Sequence, residues 1–491
     1  MADDGAAIKP VDIRFTFETL ALPGDEEMGL LGGNYLLRFS DRFYGGLGAY
    51  GALTGERGGF FTGGLALGYQ LPLSQRLALD IGGFVGGGGG GSAPQGGGLM
   101  LRPHLSLMHR NDDFAAGLSV SRVDFPNGDI GSTQWSLVLE KRFYAALFPP
   151  SYRLEAWPEQ ADRWRAQGFG AEAAHRQLAL ELRAYVPQSG SNLTGGAPHR
   201  DTMGVVGVEW RQLFSEHYLS LATYGAMHGG VDGFAQVMAG GGLYHRFASG
   251  QDISLGLTLG AAGGGEVDTG GGLVLEAVAG WSIPLRQRLD LSFKAGVLTA
   301  PDGDFSAATA TLSAAYRYDA LTVAKDRAAQ ADGALQLRHW RWRTAHESYF
   351  VDAKTLRKNG AADGRRVDLI GVMLDVMVTQ NSYLTGQALG AYDGGAGGYA
   401  VGLVGAGYQM PLIADDFSLG AELTAGASGG GGLAVGHGII TQPMLFARYK
   451  IAPQLELEAG YGRMIALSGD FDPAVWHLAL NYRYATLYRA D

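Results

Sequence analysis

Apolar and polar side chains alternate with a period of two over most of the chain. From position 61 to 71, the odd positions carry Phe, Gly, Leu, Leu, Tyr and Leu, and the even positions carry Thr, Gly, Ala, Gly and Gln. From 476 to 484, the even positions carry Trp, Leu, Leu, Tyr and Tyr, against His, Ala, Asn and Arg. Such alternation predicts β-strands with one apolar face and one small or polar face.

The first third of the chain contains eight such segments, and the same plan follows twice more. We therefore predict an all-β protein of about 24 antiparallel strands, each about 9–11 residues long, which is the length that crosses a bilayer when tilted. An even number of strands per unit returns the chain to the side from which it started. The eight segments lie near residues 11–20, 30–39, 43–54, 60–71, 76–86, 98–109, 114–124 and 133–143.

Sequence landmarks recur in the same order three times, which predicts three tandem repeats. Each unit contains an early tyrosine, a glycine cluster, a Gly-Asp turn, and a last strand that ends in Arg and an aromatic residue. The tyrosines are Tyr44, Tyr218 and Tyr383, the glycine clusters lie at 86–98, 263–272 and 429–432, the turns lie at 128–129, 303–304 and 469–470, and the arginines are Arg142, Arg317 and Arg483.

The chain changes character between the units. Residues 149–175 begin with two prolines and continue as a polar, helix-compatible stretch, and residues 320–334 also favour helix. We therefore place repeat unit 1 at 1–148, a periplasmic helical linker at 149–175, unit 2 at 176–319, a second linker at 320–334 and unit 3 at 335–491.

Two architectures fit this plan: one wide barrel of all 24 strands, or three barrels of eight strands each. The linkers and the repeated closing strand favour three barrels, because a continuous barrel needs only a short hairpin at each boundary. Several transmembrane barrels in one chain are rare, however, so we expect the single large barrel. In a wide pore neither linker is large enough to act as a plug, so a partner would have to seal it.

Composition supports a membrane barrel. The chain has 79 glycines and 46% hydrophobic residues, yet no uninterrupted apolar run reaches the length of about 18 residues that a spanning helix needs. Leu, Phe, Tyr, Trp and Val form one strand face, and aromatic residues lie at strand ends, as in lipid-facing walls and interface girdles. With no cysteine, a net charge of −10 and no basic block, we expect no thiolate metal site, no cofactor and no nucleic-acid partner.

The chain resembles the bacterial outer-membrane β-barrel class, with its porins and channels, above all in the last strand from Trp476 to Tyr484. One departure is the segment 485–491, because many members of the class end at the last aromatic residue. The resemblance implies location in the bacterial outer membrane. The implied partners are membrane lipid and lipopolysaccharide, the barrel-assembly machinery and a periplasmic or plug partner.

The charged residues on inward-facing strand positions are the candidates for a lumen site. Arg142, Arg317 and Arg483 recur at one position, where we expect an ion-pair network with neighbours such as Glu140. The alternative is a charge ring that tunes the passage of anionic solutes. The full set of candidates is Arg142, Arg317, Arg483, Glu140, Asp80 and Arg102.

His104 and Ser106 share the inward face of one strand, in an arrangement similar to that of outer-membrane lipid A deacylases. Asp80 or Glu140 could orient such a histidine. The other units lack the pair, so we expect lumen residues and no catalytic site. In the stretch 339–343, His-Trp-Arg-Trp-Arg does not match a metal-binding motif, and we expect a strand of the aromatic belt.

Two kinds of connection differ in what they predict. The glycine run 86–91 lacks the Lys and Ser or Thr of a phosphate loop, so we expect a flexible strand connection, with close backbone approach as a further possibility. The connections between the first and second strands of each unit, at 20–28, 187–203 and 352–366, differ most between units and would face outside. Ligand contacts usually lie on such loops.

Three functions follow from these patterns. The first is an outer-membrane channel for export or passage of a polar solute or polymer, extending to a polysaccharide. The second is a non-conducting structural or adhesive surface protein of three small barrels. The third is a barrel enzyme that modifies lipid A through His104 and Ser106.

Overall fold

A computed structural model describes residues 7–111, 113–325, 334–352, 354–355, 357–413 and 416–489. These residues form 25 β-strands, one short 3-10 turn and one helix. The strands of unit 1 are β1 (Ala7–Leu22), β2 (Glu26–Arg38), β3 (Phe43–Gly55), β4 (Phe61–Pro72), β5 (Leu77–Gly89), β6 (Met100–Asn111), β7 (Phe114–Asp124) and β8 (Gly131–Leu147).

Unit 2 and unit 3 repeat this plan. The strands of unit 2 are β9 (Phe169–Pro187), β10 (Met203–Leu213), β11 (His217–His228), β12 (Ala235–Arg246), β13 (Asp252–Gly263), β14 (Leu273–Arg286), β15 (Leu289–Thr299) and β16 (Ser306–Lys325). Those of unit 3 are β17 (Leu335–Phe350), β18 (Arg366–Met377), β19 (Ser382–Asp393), β20 (Ala400–Ile413), β21 (Phe417–Gly429), β22 (Ile439–Ala452), β23 (Leu455–Arg463), the two-residue β24 (Ile465–Ala466) and β25 (Ala474–Arg489).

Each unit closes into its own ring, so the expectation of a single large barrel is wrong. The first strand of each unit pairs antiparallel with the last strand of the same unit: β1 with β8, β9 with β16, and β17 with β25. In unit 3, β23 and β24 both pair with β22 and together take the place of the seventh strand of the ring. Ring closure pairs the first and last strands of each unit with each other, and strands of different units pair only over a few positions, such as Asp319 with Arg489 and Val323 with Tyr144.

The linker segments are shorter than predicted. Helix α1 (Trp157–Ala166) lies inside the stretch 149–175, but β9 already begins at Phe169. The prediction of helix after residue 319 is wrong for residues 320–325, because these residues extend β16 and pair with β9. Residues 326–333 lie outside the described part of the chain.

The outer face of the rings is apolar, as predicted for transmembrane barrels. Exposed large hydrophobic side chains recur at alternate positions around all three rings, for example Trp135, Leu137 and Leu139 on β8. A closed antiparallel barrel with an apolar exterior is the structure of bacterial outer-membrane proteins, which confirms the predicted class and location. In the described residues, no helix has the length and hydrophobicity needed to span a membrane.

The two ends of the rings differ. The end that holds the first and last residues of each ring has short turns, such as residues 39–42 and 73–76, and the opposite end has longer loops, such as residues 90–99. Short turns face the periplasm in this class, and longer loops face outside. We refer to them as the periplasmic end and the outer end.

Glycine clusters join the three rings at the outer end. Cβ atoms added at Gly59, Gly233 and Gly398 would lie less than 3.0 Å from the backbone nitrogens of Gly264, Gly430 and Gly90, respectively. Each of these contacts joins the loop before the fourth strand of one unit to the glycine cluster of another unit. The contacts run from unit 1 to unit 2, from unit 2 to unit 3 and from unit 3 to unit 1, so the arrangement is cyclic.

The glycines therefore provide the close backbone approach that was predicted from the sequence as the alternative to a flexible connection. Gly86–Gly89 belong to β5, and the backbone nitrogen of Gly398 donates a hydrogen bond of 3.1 Å to the oxygen of Gly88 in another ring. A side chain at these positions would separate the backbones, because β-carbons cannot approach backbone atoms this closely.

At the periplasmic end, an apolar cluster joins the three rings. Phe148 of unit 1 and Ala485 of unit 3 exchange backbone hydrogen bonds of 3.0 and 2.8 Å, and Val323 of unit 2 pairs with Tyr144. Helix α1 adds Trp164, whose ring centroid lies 5.8 Å from that of Phe148. We call this group, with Ala146, Tyr152 and Leu487, the periplasmic hub.

Candidate functional site: the barrel interiors

Charged side chains fill each barrel interior, because alternate side chains along every strand point inward. In unit 1, Arg14 on β1 lies 3.0 Å from Asp80 and 2.8 Å from Glu140, and all three side chains are nearly inaccessible to solvent. Tyr44 donates a hydrogen bond of 2.9 Å to the same Asp80. Arg102 pairs with Glu18 at 2.7 Å, closer to the outer end. A buried charge is stable only when it is paired and hydrogen-bonded, and these groups satisfy one another across the ring.

The interiors of units 2 and 3 are built in the same way from different residues. In unit 2, Lys294 lies 2.5 Å from both Glu181 and Glu209, and Arg183 lies 2.9 Å from Glu276. This second interior therefore has its own closed network.

Unit 3 gathers three carboxylates around one guanidinium. Arg343 lies 2.8 Å from Asp375, 2.8 Å from Glu422 and 3.1 Å from Glu458, and it is fully buried. The prediction of a strand at 339–343 is confirmed, and Arg343 is on its inward face.

The structure places the three recurrent arginines at equivalent positions near the periplasmic end. Arg142 pairs with Asp12 at 2.7 Å, Arg317 with Asp290 at 2.9 Å, and Arg483 with Glu456 at 2.9 Å. The expected partner Glu140 instead pairs with Arg14 and Arg110. The reason is that Glu140 is one pleat farther from the periplasmic end than Arg142, so the two side chains reach different layers of the interior.

The outer end of each interior is closed by an aromatic pair. The ring centroids lie 5.8 Å apart for Phe60 and Phe125, 6.3 Å apart for Phe234 and Phe305, and 6.0 Å apart for Tyr399 and Phe471. All six side chains are buried, and each pair belongs to an apolar cluster inside its ring. We call these pairs the aromatic seals.

Two cavities lie inside unit 1. A cavity of about 10 Å³, lined by Arg14, Tyr44, His104 and Ser106, lies within the ion-pair network and has room for about one water molecule. A cavity of about 480 Å³ lies at the periplasmic end, where its lining includes Arg38, Arg110 and Arg142. The network and the aromatic seal separate the larger cavity from the outer end.

His104 and Ser106 do not form a catalytic pair. The Nε2 atom of His104 lies 2.9 Å from Asp80, whereas the hydroxyl of Ser106 donates to Ser119 at 2.8 Å. Both side chains belong to the filled interior, away from the lipid-facing surface where a lipid substrate would lie. Among the described residues, no cluster of three His, Asp or Glu side chains is arranged to bind a metal ion.

Sequence reasoning missed the partners of the predicted charges. Asp12, Arg14 and Glu18 lie on β1, and Arg38 and Arg110 lie on β2 and β6. The signal was available, because each charge occupies an inward position of an alternating strand, where a charge needs a partner.

The connections between the first two strands of each unit differ as predicted. Unit 1 has a three-residue turn at 23–25, whereas the corresponding loops in units 2 and 3 span 188–202 and 351–365. The backbone of Thr194 donates to Glu266 at 2.8 Å, so the unit 2 loop folds onto its own glycine cluster. Lys358 of the unit 3 loop reaches Asp232 of unit 2 at 2.8 Å. These loops cover the outer end of the molecule.

No family model and no curated protein matches the sequence. Solved structures similar to the chain include a mutant ferric enterobactin receptor of Pseudomonas aeruginosa bound to enterobactin, at 9% identity, 98% coverage of this chain, 82% of that chain and a TM-score of 0.27. Another is the outer-membrane protein OpdK of the same organism, at 10% identity, 97% and 98% coverage and a TM-score of 0.22. Likenesses this low carry no argument, and the membrane assignment rests on ring closure and the apolar exterior.

Proposed function

We propose that this chain is a non-conducting surface protein of the outer membrane, built of three tandem barrel units whose outer loops make its contacts. The observation that carries the proposal is the combination, in every ring, of an aromatic seal and a buried ion-pair network. An eight-stranded ring is just wide enough for side chains to fill, and these rings are filled.

The charges inside the rings support a structural role. Arg343 is held by three carboxylates, and its removal would leave Glu422 buried without an ion-pair partner. A solute that displaced these pairs would have to replace several charge-assisted hydrogen bonds at once. The interior network therefore acts as an internal scaffold in this proposal.

The cyclic glycine contacts support a rigid outer face. They hold three loop-bearing ends together, with exposed cations at Lys354, Lys358 and Arg365 in the unit 3 loop and at Arg366, the first residue of β18. We propose that this basic loop is the part that meets an anionic surface polymer.

Conductance in planar bilayers tests the first half of the proposal. The purified protein, shown to be folded by its heat-dependent gel mobility, is expected to give no stepwise conductance in concentrated salt. Regular unitary steps from the folded preparation would contradict it.

A loop exchange tests the second half. Residues 352–365 are replaced by the three-residue turn of unit 1. That turn joins β1 and β2, which correspond to β17 and β18 in unit 3. We expect cells that carry this variant to lose binding to beads coated with an anionic polysaccharide. A variant with residues 188–202 shortened in the same way is the matched control and should keep binding. Equal binding by both variants would contradict the role of the basic loop.

A channel for polar solutes, extending to a polysaccharide, is the second candidate. It is favoured by the polar interiors and by the cavity of about 480 Å³ that opens at the periplasmic end of unit 1. Passage would require the aromatic seal to move aside, so the same conductance measurement separates the two functions.

A further inference from the structure

The cavity of unit 1 that opens at the periplasmic end is a basic site. Its volume of about 480 Å³ falls within the range of small-ligand pockets, roughly 300–1,000 Å³. Five cations line it, with Asp41 as the acid in the lining. The cations are Lys9, Arg38, Arg76, Arg110 and Arg142.

Carboxylates beneath the cavity neutralise only part of this charge. Asp12 pairs with Arg38 and Arg142, at 2.5 and 2.7 Å, and Glu140 pairs with Arg110 at 2.5 Å. Lys9 and Arg76 form no ion pair with any described residue. Five cations therefore face three carboxylates, counting Asp41, and the cavity keeps an excess of positive charge.

Gln70 supplies a second, independent sign of a ligand. Its side chain is 5% exposed and lines the cavity. Its Oε1 accepts from Arg38 at 2.5 Å and from Arg110 at 3.4 Å, which fixes the orientation of the amide. Its Nε2 is buried and has no hydrogen-bond partner among the described residues. A buried donor without a partner is costly, and an anionic acceptor in the cavity would satisfy it.

Unit 3 has an acidic residue at the turn position where unit 1 has Arg76. The backbone nitrogen of Arg110 donates to the oxygen of Arg76 at 2.8 Å, and in unit 3 the nitrogen of Lys450 donates to the oxygen of Asp416 at the same distance. Arg76 and Asp416 are thus equivalent turn positions with opposite charge.

We propose that the cavity binds a phosphate-bearing anion at the periplasmic face of unit 1. Phosphate oxygens match a set of guanidinium, ammonium and amide donors, and the turn hydroxyls of Ser40 and Ser74 also line the cavity. Either the headgroup of an anionic lipid or a soluble phosphate compound offers this chemistry. The site does not depend on whether the barrels conduct.

The test uses the whole protein in two kinds of nanodisc. In phosphatidylcholine nanodiscs, the protein is titrated with inorganic pyrophosphate and binding is measured by calorimetry. In nanodiscs with added phosphatidylglycerol, the lipid that the protein retains is identified by native mass spectrometry. Arg76→Asp carries the charge that unit 3 has at this position, and Arg76 is exposed, so the ring should fold. Arg122→Gln, at the outer end of the same unit, is the matched control.

We expect binding to the wild type and to the Arg122→Gln variant, and at least about tenfold weaker binding to the Arg76→Asp variant, from the loss of charge-assisted contacts. Binding of pyrophosphate indicates a soluble ligand, and selective retention of phosphatidylglycerol indicates a lipid headgroup. Both results support the site. The site is overturned if neither anion binds, or if the Arg76→Asp variant binds the anion that the wild type binds with unchanged affinity.

Discussion

Gly87 on β5 of unit 1 lies so close to Gly390 on β19 of unit 3 that a Cβ atom at position 87 would be 2.5 Å from the Gly390 carbonyl oxygen. This contact is part of the cyclic packing of the three rings. The glycines of this region therefore act as an interface between barrels as well as a connection within one barrel.

The first prediction concerns this interface. We expect Gly87→Ala to lower stability by about 1–3 kcal/mol, because the added methyl group meets backbone that cannot move independently. Thermal unfolding followed by gel mobility measures the effect. Gly63→Ala is the control, since a Cβ atom at that position on β4 meets nothing within 4 Å. Equal stability of the two variants would argue against tight packing between the rings.

The second prediction concerns the centre of unit 3. We expect Arg343→Met to destabilise the protein by about 3–5 kcal/mol, because it leaves Glu422 buried without a cation and takes one of their cations from Asp375 and Glu458. Urea unfolding in detergent micelles gives the value. The exposed pair of Arg163 and Glu159 on α1 provides the control, and Arg163→Met should change stability by less than about 1 kcal/mol. Comparable losses for the two variants would contradict the proposed scaffold.

The third prediction tests ring closure directly. The sequence has no cysteine, so any disulfide must form between the two introduced residues. Ile13 on β1 pairs with Lys141 on β8. The double variant Ile13→Cys with Lys141→Cys should form a disulfide on mild oxidation, since paired strand positions lie within disulfide reach. Lys141→Cys with Leu178→Cys tests the pairing that a single wide barrel would need. A disulfide in this second variant, and none in the first, would contradict three separate rings.

The fourth prediction concerns pH and the loop 188–202. His199 is buried and stacks on Phe305 with ring centroids 5.9 Å apart, and burial lowers its pKa below the ordinary value. The loop therefore favours the neutral imidazole. Its contribution to stability is complete above the unfolded pKa of about 6.5 and is lost as the pH falls through the folded pKa.

Hydrogen exchange of this loop, corrected for the intrinsic effect of pH, measures the change. We expect faster exchange at pH 5 than at pH 7.5 in the wild type. His199→Phe should keep the stack on Phe305 and remove the pH dependence. Persistence of the same dependence in that variant would assign the effect to another group.

Alternation along the chain was enough to predict most of the fold. The predicted strands 114–124 and 43–54 match β7 and β3 to within one residue. A strand with one apolar face and one polar face is visible in the sequence as alternating residue types. β8 and β16 extend past their predicted ends to Leu147 and Lys325. These extensions contact the periplasmic hub, and the contacts there stabilise them as strands.

The sequence by itself determined the strands, their faces and the membrane class, since these depend on neighbours two positions apart. Only the tertiary structure decided which strand closes each ring, because one wide barrel and three narrow ones share the same pattern of inward and outward residues. The same holds for the ion pairs: Arg14 and Glu140 meet across 126 positions, and local periodicity holds no information about such a partner. The contact between Gly87 and Gly390 likewise exists only once two separately closed rings pack against each other.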